Sequence, residues 1–264
     1  MTGMYLALLS RTFRLQFQYR GETFFRIAGN IIRIYIQVCI WAALLGVSGA
    51  ADGDVTLPDM VTYVAAAFVL RTLTRTTLAH KLADRVRDGS VAVDLIRPVP
   101  LIGYMFFEQL SENLFALVFS GLPVIIVSCA FWGLVLPSAL NLALFILSAL
   151  LAVLLMFYIE YIFGLFVFWI KNGTHMVMLV GGLFTVFSGA TVPLWFYPPA
   201  LAAVCEWLPF RLIAFEPISV YLGKYDAWQA LRVILLQLVW AAVLIVSERL
   251  VWRAVQRRMF IQGG

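Results

Sequence analysis

Apolar residues gather along this chain in long runs separated by short polar segments. The runs predict membrane-crossing helices near residues 25–46, 60–79, 102–128, 140–170, 174–192 and 229–250. Each suffices for a hydrocarbon core of ~30 Å, which a helix crosses in roughly 20 residues. Six is the most economical count. The first run is impure: Arg26, Asn30, Arg33 and Gln37 recur at helical spacing, so they share one side. That side turns toward protein or headgroups rather than lipid tails. Arg71 and Arg75 impose the same demand on the second run. The fourth run, wholly helical, would be ~45 Å long at ~1.5 Å per residue, so it tilts, bends or projects beyond the core. Glu160 lies within it beside Tyr158 and Tyr161, with Gly164 one turn later. An ionisable residue there belongs in the bundle interior, in a cavity or at the inner interface, as a structural pair or a substrate-facing polar spot more than as a proton relay.

Three connecting segments depart from a plain bundle. Residues 5–24 mix Arg and Gln with Leu and Phe at spacings of three to four, which predicts an amphipathic interfacial helix; a ragged extension of the first span is the alternative. Residues 81–100 combine alternating charge with Val91, Val93, Leu95 and Ile96 and stop at Pro98 and Pro100. This is a structured inner-face element, either docking a partner or packing internally; Gly89 permits a turn and Pro98 biases Arg97 toward extended backbone. Residues 193–212 are too apolar for a free loop. Pro198 and Pro199 stop the fifth run, a short re-entrant or interfacial helix follows, and Trp195, Phe196, Tyr197 and Trp207 anchor it near headgroups. It reads as an outer cap or as plain interfacial anchoring, with Arg211, Glu216, Lys224 and Asp226 as its polar rim. Glu108 and Glu112 share a helical face at the start of the third run and are placed to pair with the basic inner segment.

Composition agrees with this pattern. Of 264 residues, 63% are hydrophobic and 12% charged, where a soluble domain is near half apolar and about a quarter charged, so one soluble domain and intrinsic disorder are both excluded. The net charge of +5 is mostly topology. With both termini inside, 16 of the 19 basic residues fall on the inner side, leaving Arg211, Lys224 and Arg232 outside together with Asp52, Asp54 and Asp59. Charges divided among several membrane-proximal segments leave no nucleic-acid footprint. Cys39, Cys129 and Cys205 lie far apart in apolar surroundings, His80 and His175 are the only imidazoles, and no pair has metal-ligand spacing. Phosphate-binding glycine motifs with their lysine, HExxH pairs and clustered nucleophile, base and acid are also missing. No cleavable leader is expected before the first span.

The segment from Asp94 through Leu95, Ile96, Arg97 and Pro98 to Pro100, the run Pro193-Leu-Trp-Phe-Tyr-Pro198, and Leu208-Pro209-Phe210 before the last span form a combination with the polar N-terminus and the long fourth run. In that combination, over nearly its whole length, the chain resembles the permease subunits of ABC-2 type exporters. The resemblance implies an all-α integral membrane protein of six transmembrane helices, of the type V exporter kind, in a single permease domain without a fused ATPase and not itself an enzyme. It implies two copies of a cytoplasmic ABC ATPase as partners, with ATP and Mg2+ bound there and no cofactor bound directly. A second permease, homologous or identical, membrane lipids and a small amphipathic, lipid-like, peptide or drug-like substrate complete the complex, in a bacterial plasma (inner) membrane. Residues 81–100 would contain the ATPase-coupling element, with Arg85, Arg87, Asp88, Asp94, Leu95, Ile96 and Arg97 as its contacts. Pro193, Trp195, Phe196, Tyr197, Pro198, Trp207, Pro209 and Phe210 would form the outer gate or cap. Spans one, two and five would line the path, with Arg33, Gln37, Arg71 and Glu160 as polar residues there or in the bundle interior. A non-transporting assembly subunit, a passive channel and an intramembrane enzyme are the competing readings.

Overall fold

A computed structural model describes residues 20–48, 55–96, 100–170 and 173–262, and these are all-α. The helices are α1 (Arg20–Ser48), α2 (Leu57–Leu73), α3 (Leu78–Arg87), α4 (Val91–Ile96), α5 (Leu101–Ala116), α6 (Leu122–Trp132), α7 (Ala139–Leu165), α8 (Val167–Ile170), α9 (Gly173–Phe187), α10 (Pro199–Glu206), α11 (Phe215–Tyr221) and α12 (Ala227–Gln262). Among the described residues, four stretches are long and apolar enough to cross a membrane: Ile27–Leu45, Leu101–Trp132, Ala139–Ile170 and Ala227–Arg258. The interfacial helix expected at residues 5–24 lies outside the described residues up to Arg20, from which α1 runs without a break.

Local chemistry sets the boundaries. Thr56 and Asp59 form a reciprocal capping box at the start of α2, with Pro58 in its first turn, where a missing N–H costs nothing. Asp226 and Gln229 do the same for α12, exchanging backbone bonds of 2.7 and 3.0 Å. Between α5 and α6 the third run continues through a π-helical turn, Leu117–Gly121, which ends two residues before Pro123. A proline inside a helix has no N–H to give and crowds the carbonyl four residues back, and the wider turn absorbs the mismatch. Gly133, at φ +68°, ends α6.

The second expected span is not one helix. It stops at Leu73 and restarts as α3 at Leu78, leaving α2 with 17 residues. The reason lies on α5. Asn113 donates to the Leu73 carbonyl at 2.6 Å, Gln109 donates to the Arg75 carbonyl at 3.1 Å, and the Thr77 N–H donates to Gln109 at 3.3 Å. These buried side chains take over the backbone groups that a continuous helix would satisfy internally. The apolar part of α9, His175–Phe187, is short as well.

α7 is the central post. α12 packs along it most extensively, and α3, α9 and α11 also lean on it. Gln237 of α12 is fully buried; it accepts from the Ser148 hydroxyl at 3.0 Å and donates to the carbonyls of Ser148 and Leu212 at 3.0 and 2.8 Å. One amide thus ties α12 to α7 and to the 3-10 turn Pro209–Ile213. At the other end of α7, a Cβ on Gly164 would stand 3.3 Å from the Ala79 Cα, so the absent side chain is what lets α3 lie against α7.

Candidate functional site

Helices α1, α2, α7 and α9, the π-turn and the segment after α9 enclose a cavity of about 410 Å³. Its wall carries Asn30, Arg33 and Gln37 from α1 and Arg71, Arg75 and Thr76 from α2 and the break beyond it. Ser120 and Glu160 face it from the π-turn and α7. The four polar residues expected on a path or in the bundle interior, Arg33, Gln37, Arg71 and Glu160, therefore line one space. Asn30 donates to Ser120 at 2.8 Å and Gln37 donates to the Thr191 carbonyl at 3.0 Å, which fixes α1 against its neighbours. Among the described residues no carboxylate lies within ion-pair distance of Arg33, Arg71 or Arg75. Glu160 is buried, its carboxylate lies against the backbone N–H of Ala79 at the start of α3, and its Oε2 has no hydrogen-bond partner among the described residues.

The described part of the segment 81–100, up to Ile96, folds as the rest of α3, a turn at Gly89 (φ +78°) and α4. Arg85 is turned inward: it donates to Asp94 at 2.8 Å and to Glu108 at 2.9 Å and stacks over the Tyr104 ring at 5.2 Å. Burial disfavours its charge, but Glu108 and Asp94 more than offset this and hold the guanidinium above its ordinary pKa. Lys81 pairs with Glu112 at 2.7 Å and reaches Glu108 at 3.6 Å. Of the expected ATPase contacts, Arg85 thus ties the element to α5, and Asp94 pairs with it inside the element. Arg87 and Asp88 are exposed, as is Val93 at 60%. Asp88 accepts from the Ser90 N–H at 2.8 Å, and hydrogen bonding by Ser90 keeps its carboxyl below the usual range. The Leu95 and Ile96 side chains and Arg97 lie outside the described residues.

At the opposite end, Tyr63 donates to the Gly189 carbonyl at 2.7 Å and meets Trp195 edge-on, with Trp195 in turn against Phe215. Gly189 sits at φ +74°, and a Cβ there would meet the Phe215 Cβ at 2.8 Å. Phe196 packs on Trp41, and Tyr197 donates to the Val186 carbonyl. Pro193, Pro209 and Phe210 are buried, Pro198 is exposed, and Trp207 stands 82% exposed. Behind this layer Glu216 pairs with Arg211 at 2.8 Å. Burial raises the Glu216 carboxyl above its ordinary pKa, and Arg211 and Tyr225 offset this in part.

A family model described as ABC-2 family transporter protein matches residues 32–263. The chain belongs to that family. Its members are membrane transport subunits and not themselves catalysts. No curated protein matches the chain. For this ABC-2 transporter chain, the described residues include no group of His, Cys, Asp and Glu placed to hold a metal ion. Two features of the transporter escaped the sequence reading. Gln109 and Asn113, one helical turn apart in an apolar run, carried a signal for the α2–α3 break, since buried amides seek backbone partners. Gln237 carried the same signal in the last run.

Proposed function

We propose that the chain is the six-span permease subunit of an ATP-binding cassette exporter in a bacterial inner membrane, working with two separate cytoplasmic ATPase subunits and a second permease. The spans would be α1, α2, α5–α6, α7, α9 and α12, with both termini cytoplasmic. The observation that carries the reading is the mechanical continuity between cavity and inner element. Glu160 and Gly164 lie one turn apart on α7; the first lines the cavity and both press on the start of α3. A push on α3 and α4 therefore reaches the cavity wall directly, as coupling of ATPase closure to a path between spans requires.

The exposed face of the inner element, with Arg87, Asp88 and Val93, is the docking surface in this reading. Coexpression with the ABC ATPases of the host should recover a complex, and Val93→Asp should reduce its recovery and its ATP turnover while the permease stays folded. Unchanged recovery removes this face from the interface. Export of an amphipathic substrate is then read by comparing molecules released from cells with and without the intact complex.

A further inference from the structure

The cavity has a neighbour along α1. A groove of about 610 Å³ lined by Ile36, Ile40, Trp41, Leu44, Val192 and Phe196 adjoins it, and the two spaces share Arg33, Gln37 and Thr191 as common walls. From Asn30 to Leu45 this composite space follows α1 for about 22 Å, most of the ~30 Å depth of a hydrocarbon core. Its two halves differ in chemistry. The end toward the start of α1 carries Arg33, Arg71 and Arg75, partly or fully exposed and without carboxylate partners among the described residues. The other end is apolar, with Ile40 and Leu44 each 51% exposed. Glu160 adds one carboxyl to the polar end, but it is 3% exposed and lies against Ala79.

We propose that cavity and groove are one binding site for a lipid with an anionic phosphate head, held by Arg33, Arg71 and Arg75, whose chain lies along α1 toward Leu44. Three guanidiniums around one space suit a group with several charged oxygens, because each planar fork can donate to two of them. The apolar groove supplies the place for a chain that a free phosphate does not have. This deepens the exporter reading, on which it rests for the site's place in the path, by naming the substrate class.

The test uses the purified full chain and native mass spectrometry with phosphatidylglycerol, phosphatidylcholine and inorganic phosphate as probes. Phosphatidylglycerol is retained in preference to phosphatidylcholine, and millimolar phosphate does not displace it. The double variant Arg33→Gln, Arg71→Gln lowers its retention about tenfold, the effect of losing charge-assisted bonds, and the corresponding Lys variant, which keeps the charge, loses less. Equal retention of the two lipids by the wild type overturns the proposal whatever the variants do, as does displacement by free phosphate, which makes the groove irrelevant. The pair Ile40→Gln, Leu44→Gln weakens lipid retention; if it changes the oligomeric state and leaves retention intact, the groove belongs to a second copy and the proposal fails. Recovery of an ATPase partner is read separately, so a chain that keeps its ATPase and shows no lipid preference refutes this proposal alone.

Discussion

Arg85 on α3 donates to Asp94 on α4 at 2.8 Å, closing the inner element on itself, and its second nitrogen binds Glu108 of α5. The Arg85 and Asp94 side chains are 17% and 7% exposed, so this cluster is more shielded than a surface ion pair. Arg85→Ala leaves both carboxylates without their shared partner, at a cost of about 1–3 kcal/mol after discounting for solvent at the rim. Hydrogen exchange over residues 78–96 should accelerate in this variant. Asp94→Asn should have a smaller effect, and the double variant should cost less than the sum because the two residues share one interaction.

The inward turn of Arg85 marks where the sequence stops being legible. Its charge pattern fits a solvated loop as well as a packed one, and only the Glu108 and Glu112 pair, on one face of the next helix, pointed to internal pairing. The apolar runs were legible because each crossing needs its own continuous stretch. The break at Leu73 was not, because the groups that stabilise it, Gln109 and Asn113, are 34 or more positions away from the carbonyls they bind. Arg33 and Gln37 share a helical side by spacing, and Glu160 stands out in an apolar run. Their meeting with Arg71 in one cavity depends on how four helices pack, which no local pattern encodes.

Gly164 is a point of close approach between α3 and α7. With the Ala79 backbone 3.3 Å from where a Cβ would stand, Ala has little room and Val has none. Gly164→Val should lower the apparent unfolding temperature, with an overpacking cost of about 1–3 kcal/mol. Gly181, whose added Cβ meets open space, is the matched control and should tolerate Ala with little change. A transporter assembled with its ATPase should lose substrate-stimulated turnover in Gly164→Val before it loses the complex, since the exposed face of α3 and α4 remains.

Gln237 offers a second structural test. Replacing it by Leu keeps the volume but strands the Leu212 carbonyl and the Ser148 hydroxyl in a buried place, costing about 1–3 kcal/mol. Proteolysis within residues 199–213 should become faster in Gln237→Leu, because the amide is the hydrogen bond that pins this segment to α12. The inner element should keep its hydrogen-exchange rates. Uniform loosening of both ends would show that the bundle answers as one unit.

Two carboxylates outside the apolar runs set opposite pH dependences. Burial raises Glu216 above its ordinary value of 4.5, so its proton is bound more tightly in the folded chain. Its contribution is fully present below that value and is lost as pH rises through the folded pKa. Asp59 differs: burial pushes it up, but hydrogen bonds from Thr56 and the 3.2 Å contact with Lys224 outweigh this and hold it below 3.8. Its contribution is present above 3.8 and is lost as pH falls through the lower folded value. Thermal unfolding from pH 4 upward (~4 to ~8, spanning the ordinary carboxyl range) should therefore show wild type losing stability relative to Glu216→Gln as pH rises, because Gln cannot ionise. Asp59→Asn should lower stability by a nearly constant amount across the same range, since its carboxylate is already charged throughout. A Glu216→Gln difference that does not vary with pH would mean that Arg211 and Tyr225 cancel the effect of burial and leave this carboxyl at its ordinary pKa.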